Sequence, residues 1–224
     1  MGKAVIVSVC SRRRKGDYVI RTFGCEDYPK DVPHRVWIGG VDFFPRNEGE
    51  KERILKSLGK YVYAESWLEL EEVVARILKR RGVKLAVAES CTAGLLSARL
   101  VNVEGASSFF LGGFVVYSND LKTKLLSVEE ELLKKYGAVS EEVCRAMCIS
   151  VLEETDADVS VSITGIAGPT GGTKEKPVGL TYIGIGSDRE VKVWSFVFKK
   201  SRNQNRFLST QWALFLLKEY VSNG

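Results

Sequence analysis

The chain has 224 residues, of which 45% are hydrophobic and 27% are charged, and its formal net charge is +5. These values are typical of one globular domain with a small annex, and they exclude wholesale disorder. The single histidine, His34, excludes a histidine-rich metal site. A Ser-His or Cys-His mechanism would have to use this residue. No apolar run approaches the roughly 18 residues of a membrane span, so we expect a cytoplasmic protein without a membrane partner.

The first 65 residues predict a small α+β annex. Segments rich in valine, isoleucine and aromatic residues predict short strands, and a polar segment that ends at Gly59 predicts one helix. Ala4–Cys10 is too short for a signal peptide, and its basic residues follow it instead of preceding it. The predicted strands are Ala4–Cys10, Tyr18–Phe23, Arg35–Ile38 and Tyr61–Tyr63, and the predicted helix is Glu48–Leu58.

Most of the net positive charge lies in this annex, which has 13 Lys and Arg against 9 Asp and Glu, whereas residues 66–224 have 20 against 19. The densest basic run, Arg12–Lys15, precedes the turn signal Gly16-Asp17. Two interpretations stay open for this run: a solvated loop between strands, or a patch that binds phosphate groups. Nucleic-acid binding would rest on the annex alone, so we do not expect nucleic acid as a partner of the larger part.

Helical and apolar segments alternate from residue 66 to the C-terminus. An amphipathic helix precedes a continuous apolar run, which is typical of a strand buried on both faces. The pattern predicts an α/β fold, a three-layer α/β/α sandwich with a mixed, mostly parallel sheet, in residues 66–224. The predicted helices are Trp67–Arg81, Thr92–Leu100, Glu129–Tyr136, one that follows Ser140, and Asn203–Tyr220; the predicted strands are Val83–Ala88, Gly112–Tyr117, Ala157–Thr164, Val178–Gly186 and Glu190–Phe198.

The first motif is Ala-Glu-Ser-Cys-Thr-Ala-Gly at 88–94, where a buried strand ends and a helix begins. In open α/β sheets, ligands bind at the carboxyl ends of strands, and the free N–H groups of a helix N-terminus stabilise anions. Such N–H groups can form an oxyanion hole. Ser90, Cys91 and Thr92 compete for the role of nucleophile, and Ser90 as a simple helix cap stays open as well.

The second motif is Gly-Phe-Val-Val-Tyr-Ser-Asn-Asp-Leu-Lys at 113–122, which also runs from an apolar strand into a polar turn. Lys122 falls five residues after Tyr117, about one turn into a following helix. A lysine whose pKa is lowered by burial can act as a general base, and Ser-Lys is the natural acyl-transfer pair in a domain without histidine. The alternatives are that Lys122 is a surface lysine and that Tyr117 is a packed aromatic residue.

The third motif is Thr-Gly-Ile-Ala-Gly-Pro-Thr-Gly-Gly-Thr at 164–173, directly after a predicted strand. Glycines allow positive φ angles and close backbone approach, and consecutive N–H groups can form a concave anion site. The segment is neither a Walker A loop nor a G-x-G-x-x-G fingerprint. An anion-binding loop and a flexible connection both stay open.

Five cysteines without a C-x-x-C pair argue against a disulfide framework and a zinc site, and predict free thiols in a reducing compartment. Cys144 and Cys148 lie one helical turn apart, so we expect them to be buried, apolar side chains. Neighbouring residues on a tight turn point in different directions, so only one of Ser90 and Cys91 is expected to face a cleft.

Taken together, the motifs resemble the CinA family, specifically its C-terminal domain of nicotinamide-nucleotide amidohydrolases, from about Glu69 to the C-terminus. Leu58–Tyr63 looks like the end of the KH-named segment that precedes this domain in longer CinA proteins, and no G-x-x-G occurs in residues 1–65. We therefore predict a truncated annex at 1–65 and an amidohydrolase domain at 66–224. The resemblance rests on Ala-Glu-Ser-Cys-Thr at 88–92, Tyr-Ser-Asn at 117–119 with Lys122, Gly-Ala-Val-Ser at 137–140, Gly-Ile-Ala-Gly-Pro at 165–169, Gly171-Gly172, Lys-Pro-Val-Gly at 176–179, and Arg202 with Arg206.

The resemblance implies hydrolysis of the carboxamide of nicotinamide mononucleotide to nicotinic acid mononucleotide and ammonia, without a metal or cofactor. By motif, Ser90 is the nucleophile, Lys122 the base that activates it, and Tyr117 a helper that positions the base. By analogy with the family we also expect a homo-oligomer. The residues implied to surround the nucleotide are Glu89, Thr92, Asn119, Ser140, Gly165, Ala167, Gly168, Gly171 and Gly172, with Arg202 toward its phosphate.

Three departures from the family pattern bear on the substrate. The family usually has Thr-Gly-Gly where this chain has Thr92-Ala93-Gly94, and Gly-Asp where this chain has Lys200-Ser201, while Arg145 matches only some relatives. Two further hypotheses therefore stay open. One is an amidohydrolase with a different carboxamide substrate, and the other is a catalytically silent nucleotide- or nucleic-acid-binding module related to competence or damage.

Overall fold

The computed structural model describes residues 18–223. The predicted strand Ala4–Cys10 and the basic run Arg12–Lys15 lie outside this range. The chain divides into two compact units, Met1–Trp67 and Leu68–Gly224. None of the helices in the described range combines the length and the apolar character that a membrane span requires.

In its described residues, the first unit is an antiparallel sheet with one α-helix. The helix, α1 (Glu48–Leu58), has the predicted bounds, and it begins after Asn47, whose side chain accepts a hydrogen bond from Glu50 N. The single histidine, His34, has its ring Nδ1 2.8 Å from Val32 O. The strands are β1 (Ile20–Phe23), β2 (His34–Trp37), β3 (Gly40–Phe43) and β4 (Val62–Ala64), in the spatial order β2-β3-β1-β4.

The sequence pattern does not predict β3, because glycine and aspartate are both rare in strands. The carboxylate of Asp42 is nevertheless buried in this strand. It accepts hydrogen bonds from Arg21 Nε at 3.1 Å, Arg35 Nη2 at 2.6 Å and Trp37 Nε1 at 3.0 Å. These charged and polar partners offset the cost of burying the carboxylate, and they lie on other strands, so a local pattern does not reveal them.

The second unit contains every helix and strand that the sequence predicts for it, with ends shifted by up to about three residues. Its strands are β5 (Leu85–Glu89), β6 (Phe110–Val115), β7 (Val159–Gly165), β8 (Leu180–Gly186) and β9 (Val191–Val197). Its α-helices are α2 (Leu70–Arg81), α3 (Leu95–Val101), α4 (Asn119–Leu126), α5 (Glu130–Tyr136), α6 (Glu141–Glu153) and α7 (Arg202–Asn223).

The sheet of the second unit has the strand order β6-β5-β7-β8-β9. β5 pairs in parallel with β6 and β7, whereas β8 is antiparallel to both of its neighbours. Four strands therefore run in one direction and β8 runs against them. Helices α4, α5 and α6 cover one face, and α2, α3 and α7 cover the other. The fold is the predicted three-layer α/β/α sandwich with a mixed, mostly parallel sheet.

Buried serines and cysteines join α6 to β7. The hydroxyls of Ser160 and Ser162 donate hydrogen bonds of 2.7 Å to the carbonyl oxygens of Cys148 and Cys144. Both cysteine side chains are fully buried, and burial raises the pKa of both thiols. The prediction that these cysteines are buried packing residues is confirmed, and their hydrogen bonds satisfy two hydroxyls inside the core.

Gly179 admits no side chain where the chain re-enters the sheet. Its φ is +91°, and a Cβ there would lie 1.9 Å from Phe198 O. We expect Gly179→Ala to lower the free energy of unfolding by about 2–4 kcal/mol, through backbone strain and steric conflict. Urea unfolding followed by circular dichroism measures this change.

Gly59→Ala is the matched control, because Gly59 has a helical φ of −49° and open space around its Cβ position. We expect a change of less than about 1 kcal/mol for this variant. A stability of Gly179→Ala equal to that of Gly59→Ala would contradict the steric explanation.

Candidate active site

Three strand ends meet at one edge of the larger sheet. β5 lies between β6 and β7 and runs parallel to both, so the carboxyl ends of the three strands are neighbours. Ser90 follows β5, the segment 116–122 follows β6, and the glycine-rich segment 166–179 follows β7. The topology thus brings the three sequence motifs to the edge where ligands bind in open α/β sheets.

A tight turn carries the chain from β5 through Ser90 to α3. Ser90 N donates to Ile163 O at 2.9 Å, and Ala93 N donates to Ser90 O at 3.1 Å. Ala93 and Gly94 have φ values of +48° and +87°. Such values are rare for residues other than glycine, and strained non-glycine residues cluster at functional sites. Ser90 itself is 8% exposed at this turn.

The carboxylate of Glu89 caps the helix that follows the turn. It is fully buried, and it accepts hydrogen bonds from Leu96 N at 3.0 Å, Ser97 N at 2.8 Å and Ser97 Oγ at 2.7 Å. These donors lie in the first turn of α3, where N–H groups lack partners within the helix and favour an anion. The contacts anchor the turn at residues 90–94, named here the nucleophile turn after the predicted role of Ser90. The binding of substrate by Glu89 stays a prediction.

Lys122 Nζ lies 3.1 Å from Ser90 Oγ. The side chain is 1% exposed, so the alternative of a surface lysine is wrong. Nζ donates to Val116 O at 2.8 Å, and the carbonyl oxygens of Tyr117 and Ser118 lie at 3.4 and 3.5 Å. The strand end and the first turn of α4 thus surround the amine with oxygen atoms and direct it toward the serine.

Burial lowers the pKa of Lys122 to about 8, because the ammonium loses its hydration inside the protein. A group with this pKa is neutral in roughly a tenth of the molecules at pH 7, which is a useful fraction for a general base. The separation of 3.1 Å from Ser90 Oγ also suits proton transfer. The amine therefore has both the position and the pKa that the activation of a serine requires.

Cys91 and Thr92 are weaker candidates for the nucleophile. Burial raises the pKa of the Cys91 thiol to about 12, so its reactive thiolate is almost absent at neutral pH. Thr92 Oγ1 is buried and has no hydrogen-bond partner in the described part of the chain. Ser90 is the residue of the three whose side chain is hydrogen-bonded to Lys122, which favours Ser90.

Tyr117 is 56% exposed, so the alternative of a packed aromatic residue is wrong. Its hydroxyl accepts a hydrogen bond from Arg202 Nη2 at 3.0 Å, and Arg202 Nη1 donates to Gly168 O at 2.8 Å. Arg202 thus bridges the end of β6 and the glycine-rich loop. The contact between Tyr117 and Lys122 runs through the Tyr117 carbonyl oxygen, so any influence of the phenol on the base is indirect.

The glycine-rich loop folds back closely on itself. A Cβ at Gly168 would lie 2.4 Å from Val178 Cγ1, and a Cβ at Gly172 would lie 2.7 Å from Val178 N. Asn205 Nδ2 donates to Ala167 O at 3.0 Å and ties the loop to α7. These contacts argue against the alternative of a flexible connection, and the binding of an anion by the loop stays a prediction. Of the predicted loop residues, Gly165 is half-buried, Ala167 and Gly168 are buried, and Gly171 and Gly172 are exposed.

Ser140 and Asn119 lie at helix N-termini. Ser140 Oγ accepts a hydrogen bond from Val143 N at 3.3 Å and donates to Gly137 O at 2.9 Å, so Ser140 is the N-cap of α6. Asn119 is the exposed first residue of α4. Within residues 18–223, neither side chain makes a hydrogen bond to Ser90, and their roles in substrate binding stay predictions.

Two further residues of α7 hold the loops of the site, and the sequence alone assigns neither a role. Arg206 donates from Nε to Cys91 O at 3.1 Å and from Nη2 to Thr92 O at 2.8 Å, and Asn205 holds the glycine-rich loop. With Arg202 they are spaced three and four residues apart, so they share one helix face. That spacing is the signal in the sequence, although polar residues at this spacing are equally typical of a solvated face.

Solved structures with this fold include CinA superfamily proteins. A competence-damaged protein (CinA) superfamily protein from Klebsiella pneumoniae aligns with a TM-score of 0.67 at 29% identity, covering 70% of this chain and 100% of that chain. A CinA superfamily protein from Escherichia coli aligns with a TM-score of 0.65 at 33% identity, covering 67% of this chain and 88% of that chain. Both likenesses support the α/β sandwich described above.

Sequence relatives extend the comparison. A CinA-like protein of Sulfurihydrogenibium sp. is 39% identical over 237 residues, covering 99% of this chain and 59% of the relative. A CinA-like protein of Thermotoga maritima is 48% identical over 170 residues, covering 76% of this chain and 41% of the relative. The chain thus spans about half the length of these curated relatives. Residues 68–221 match the family described as CinA C-terminal domain, and the chain therefore belongs to the CinA family.

Proposed function

We propose that the second unit hydrolyses the carboxamide of nicotinamide mononucleotide to nicotinic acid mononucleotide and ammonia. The observation that carries the proposal is the hydrogen bond of 3.1 Å between Lys122 Nζ and Ser90 Oγ, buried at the carboxyl edge of the sheet. A serine paired with a lysine of lowered pKa is an arrangement for acyl transfer. The nucleotide substrate follows from the resemblance of the motifs to the family's nicotinamide-nucleotide amidohydrolases.

The first half of the proposed reaction forms an acyl-enzyme. Neutral Lys122 accepts the hydroxyl proton of Ser90 while Ser90 Oγ forms a bond to the carboxamide carbon. The carbonyl oxygen gains negative charge in the tetrahedral intermediate, and we assign N–H groups of the nucleophile turn to its stabilisation. Protonated Lys122 then gives its proton to the departing nitrogen, the C–N bond breaks, and ammonia leaves.

The second half hydrolyses the ester on Ser90. A water molecule transfers a proton to neutral Lys122 as its oxygen forms a bond to the acyl carbon. The bond between the carbon and Ser90 Oγ then breaks, and the serine recovers its proton from Lys122. The product is a carboxylic acid, which ionises at neutral pH, and the enzyme returns to its starting state. Lys122 thus acts as base and acid in each half.

Substrate recognition is assigned to groups around this pair. We assign the glycine-rich loop and the buried hydroxyl of Thr92, which has no partner in the described part of the chain, to the binding of the nucleotide. The Arg202 guanidinium retains donors beyond its bonds to Gly168 and Tyr117, because a guanidinium has five. We assign it to the phosphate, and we assign Tyr117 to positioning.

Ala93 favours a second candidate, an amidohydrolase with a different carboxamide. Its φ of +48° places a methyl group at the exposed side of the nucleophile turn, where the family usually has glycine. This methyl group adds bulk to the turn that carries Ser90. Fold and mechanism are shared by both candidates, so substrate preference separates them.

Ammonia release from a panel of carboxamides tests the proposed substrate. We expect kcat/KM for nicotinamide mononucleotide to exceed those for nicotinamide and nicotinamide riboside by at least about 10²-fold, because both lack the phosphate, and charge-assisted hydrogen bonds are worth about 1.5–3 kcal/mol each. The same panel includes the dinucleotide NAD and simple benzamides. Faster hydrolysis of another carboxamide would favour the second candidate, and hydrolysis of none would contradict both.

A further inference from the structure

Arg206, on helix α7, contacts the nucleophile turn. Its Nε donates to Cys91 O at 3.1 Å and its Nη2 donates to Thr92 O at 2.8 Å. The two bonds use the rigid, planar guanidinium, whose N–H groups are directed at fixed angles to one another. A lysine offers one compact ammonium on a flexible stem, so this pair of contacts depends on arginine.

Each peptide plane of the turn is held through its carbonyl oxygen. Ser90 O accepts from Ala93 N at 3.1 Å, whereas Cys91 O and Thr92 O accept from Arg206. A trans peptide is planar, so its N–H group points opposite to its C=O group. The bond to Cys91 O therefore fixes the direction of the Thr92 N–H, just as the bond to Ser90 O fixes that of the Cys91 N–H.

The Thr92 N–H has no hydrogen-bond acceptor in the chain between residues 18 and 223. It belongs to the second residue after the nucleophile, and Thr92 is fully buried. Buried N–H groups without acceptors are rare in folded proteins. Donors that are held in place beside a nucleophile, and not occupied by the protein itself, are the groups that stabilise the oxyanion of acyl transfer.

We propose that Arg206 is a positioning residue of the oxyanion site: it holds Cys91 O and Thr92 O, and thereby keeps the Thr92 N–H directed at the charge that develops on the carboxamide oxygen. Arg206 itself touches no reacting atom. The inference rests on the proposed function, since it requires Ser90 as an acyl-transfer nucleophile, and it holds for any carboxamide substrate.

The test compares wild type with Arg206→Lys, which keeps the charge and loses the paired contact. Arg145→Lys is the matched control, because Arg145 is also a half-buried arginine whose Nη1 donates to a main-chain carbonyl, Val191 O, at 2.6 Å. One readout is kcat and KM for ammonia release from nicotinamide mononucleotide. The other is the rate at which an alkyl fluorophosphonate labels Ser90, in which Ser90 Oγ bonds to phosphorus, fluoride leaves and the hydroxyl proton passes to Lys122.

We expect Arg206→Lys to lower kcat by about 10²-fold, the effect of losing one oxyanion donor, with KM changed by less than about threefold. Labelling of Ser90 should slow by a factor of about ten or more, because the phosphoryl oxygen also gains charge in that reaction. Arg145→Lys should match wild type in both readouts. Added guanidinium ion should restore part of the kcat of Arg206→Ala. Because only a folded protein can be rescued in this way, the rescue tests the role of Arg206 even if Arg206→Lys does not fold.

The outcomes separate the two proposals. Wild-type kcat and labelling rate in Arg206→Lys would overturn the role of Arg206 and leave the proposed function standing. A wild type that releases no ammonia, while its labelling at Ser90 still depends on Arg206, would overturn the substrate and leave the positioning role standing. Absence of guanidinium rescue together with an equal loss of activity in Arg145→Lys would show a general structural effect and overturn the inference.

Discussion

Ser90→Ala is expected to lower kcat for ammonia release by about 10⁴- to 10⁶-fold, with KM changed by less than about threefold. The variant removes the oxygen that forms the acyl-enzyme, and it leaves the turn intact, because the turn is held by the main-chain bonds of Ser90 N and Ser90 O. Lys122 keeps its hydrogen bond to Val116 O at 2.8 Å. Steady-state ammonia release, with the nucleotide product separated by chromatography, measures the loss.

Cys91→Ala is the matched control for this variant. The Cys91 thiol is adjacent in sequence and is 6% exposed, but its pKa is raised to about 12. A thiol that stays protonated is a poor nucleophile, so we expect activity within about threefold of wild type for a side chain outside the chemistry. Equal losses in the two variants would show that the turn needs both side chains for its shape, and would contradict the assignment of Ser90 alone.

Features of the sequence offer the pairing of Ser90 with Lys122 as one option, and the resemblance to the CinA family selects it over a surface lysine. Ser90 and Lys122 each come shortly after an apolar run that predicts a buried strand. Parallel strands that are buried on both faces have their carboxyl ends at the same edge of the sheet. The absence of histidine from the motifs then leaves lysine as the natural base. The strand order β6-β5-β7, which we did not predict from the sequence, makes the strand before Ser90 the direct neighbour of the strand before Lys122.

The supporting contacts of the site could not be predicted from the sequence. Arg206 is separated from Cys91 by 115 residues and Arg202 from Tyr117 by 85, and no local period connects such pairs. The partners of Glu89 could not be predicted either, although they lie only seven and eight residues away. A carboxylate beside a candidate nucleophile suggests a role in catalysis or binding, whereas the Glu89 oxygens cap α3. Side-chain partners at these positions are determined by tertiary packing, which overrides local pattern.

Lys122→Met is expected to lower kcat/KM by about 10²- to 10⁴-fold, the usual contribution of a general base. Methionine is an unbranched side chain of similar length, and it fills the buried space without a titratable group. Wild-type kcat/KM should rise with pH by about tenfold per unit below pH 8 and then level off, since the base must be neutral. The residual activity of the variant should lack this inflection, which a pH profile of ammonia release measures.

Lys124→Met is the matched control, because Lys124 lies on the same helix with its side chain 66% exposed and pairs with Asp120 on the surface. We expect it to keep the wild-type pH profile and a rate within about twofold of wild type, as surface substitutions do. An unchanged inflection in Lys122→Met would assign the ionisation to another group. Retention of more than about a third of wild-type kcat/KM would remove Lys122 from the role of base.

The same ionisation predicts a dependence of stability on pH. The pKa of Lys122 is about 8 in the folded state, whereas a lysine in the unfolded chain has a pKa of about 10.4. Between these values the unfolded state binds more protons, so the free energy of unfolding of wild type should rise with pH relative to Lys122→Met. Below pH 8 both states of wild type are protonated, the penalty for the buried ammonium is complete, and the difference between the two proteins should be constant. Urea unfolding of both proteins at pH 7, 9 and 10 measures the trend, and a constant difference across this range would show that the folded lysine keeps an ordinary pKa.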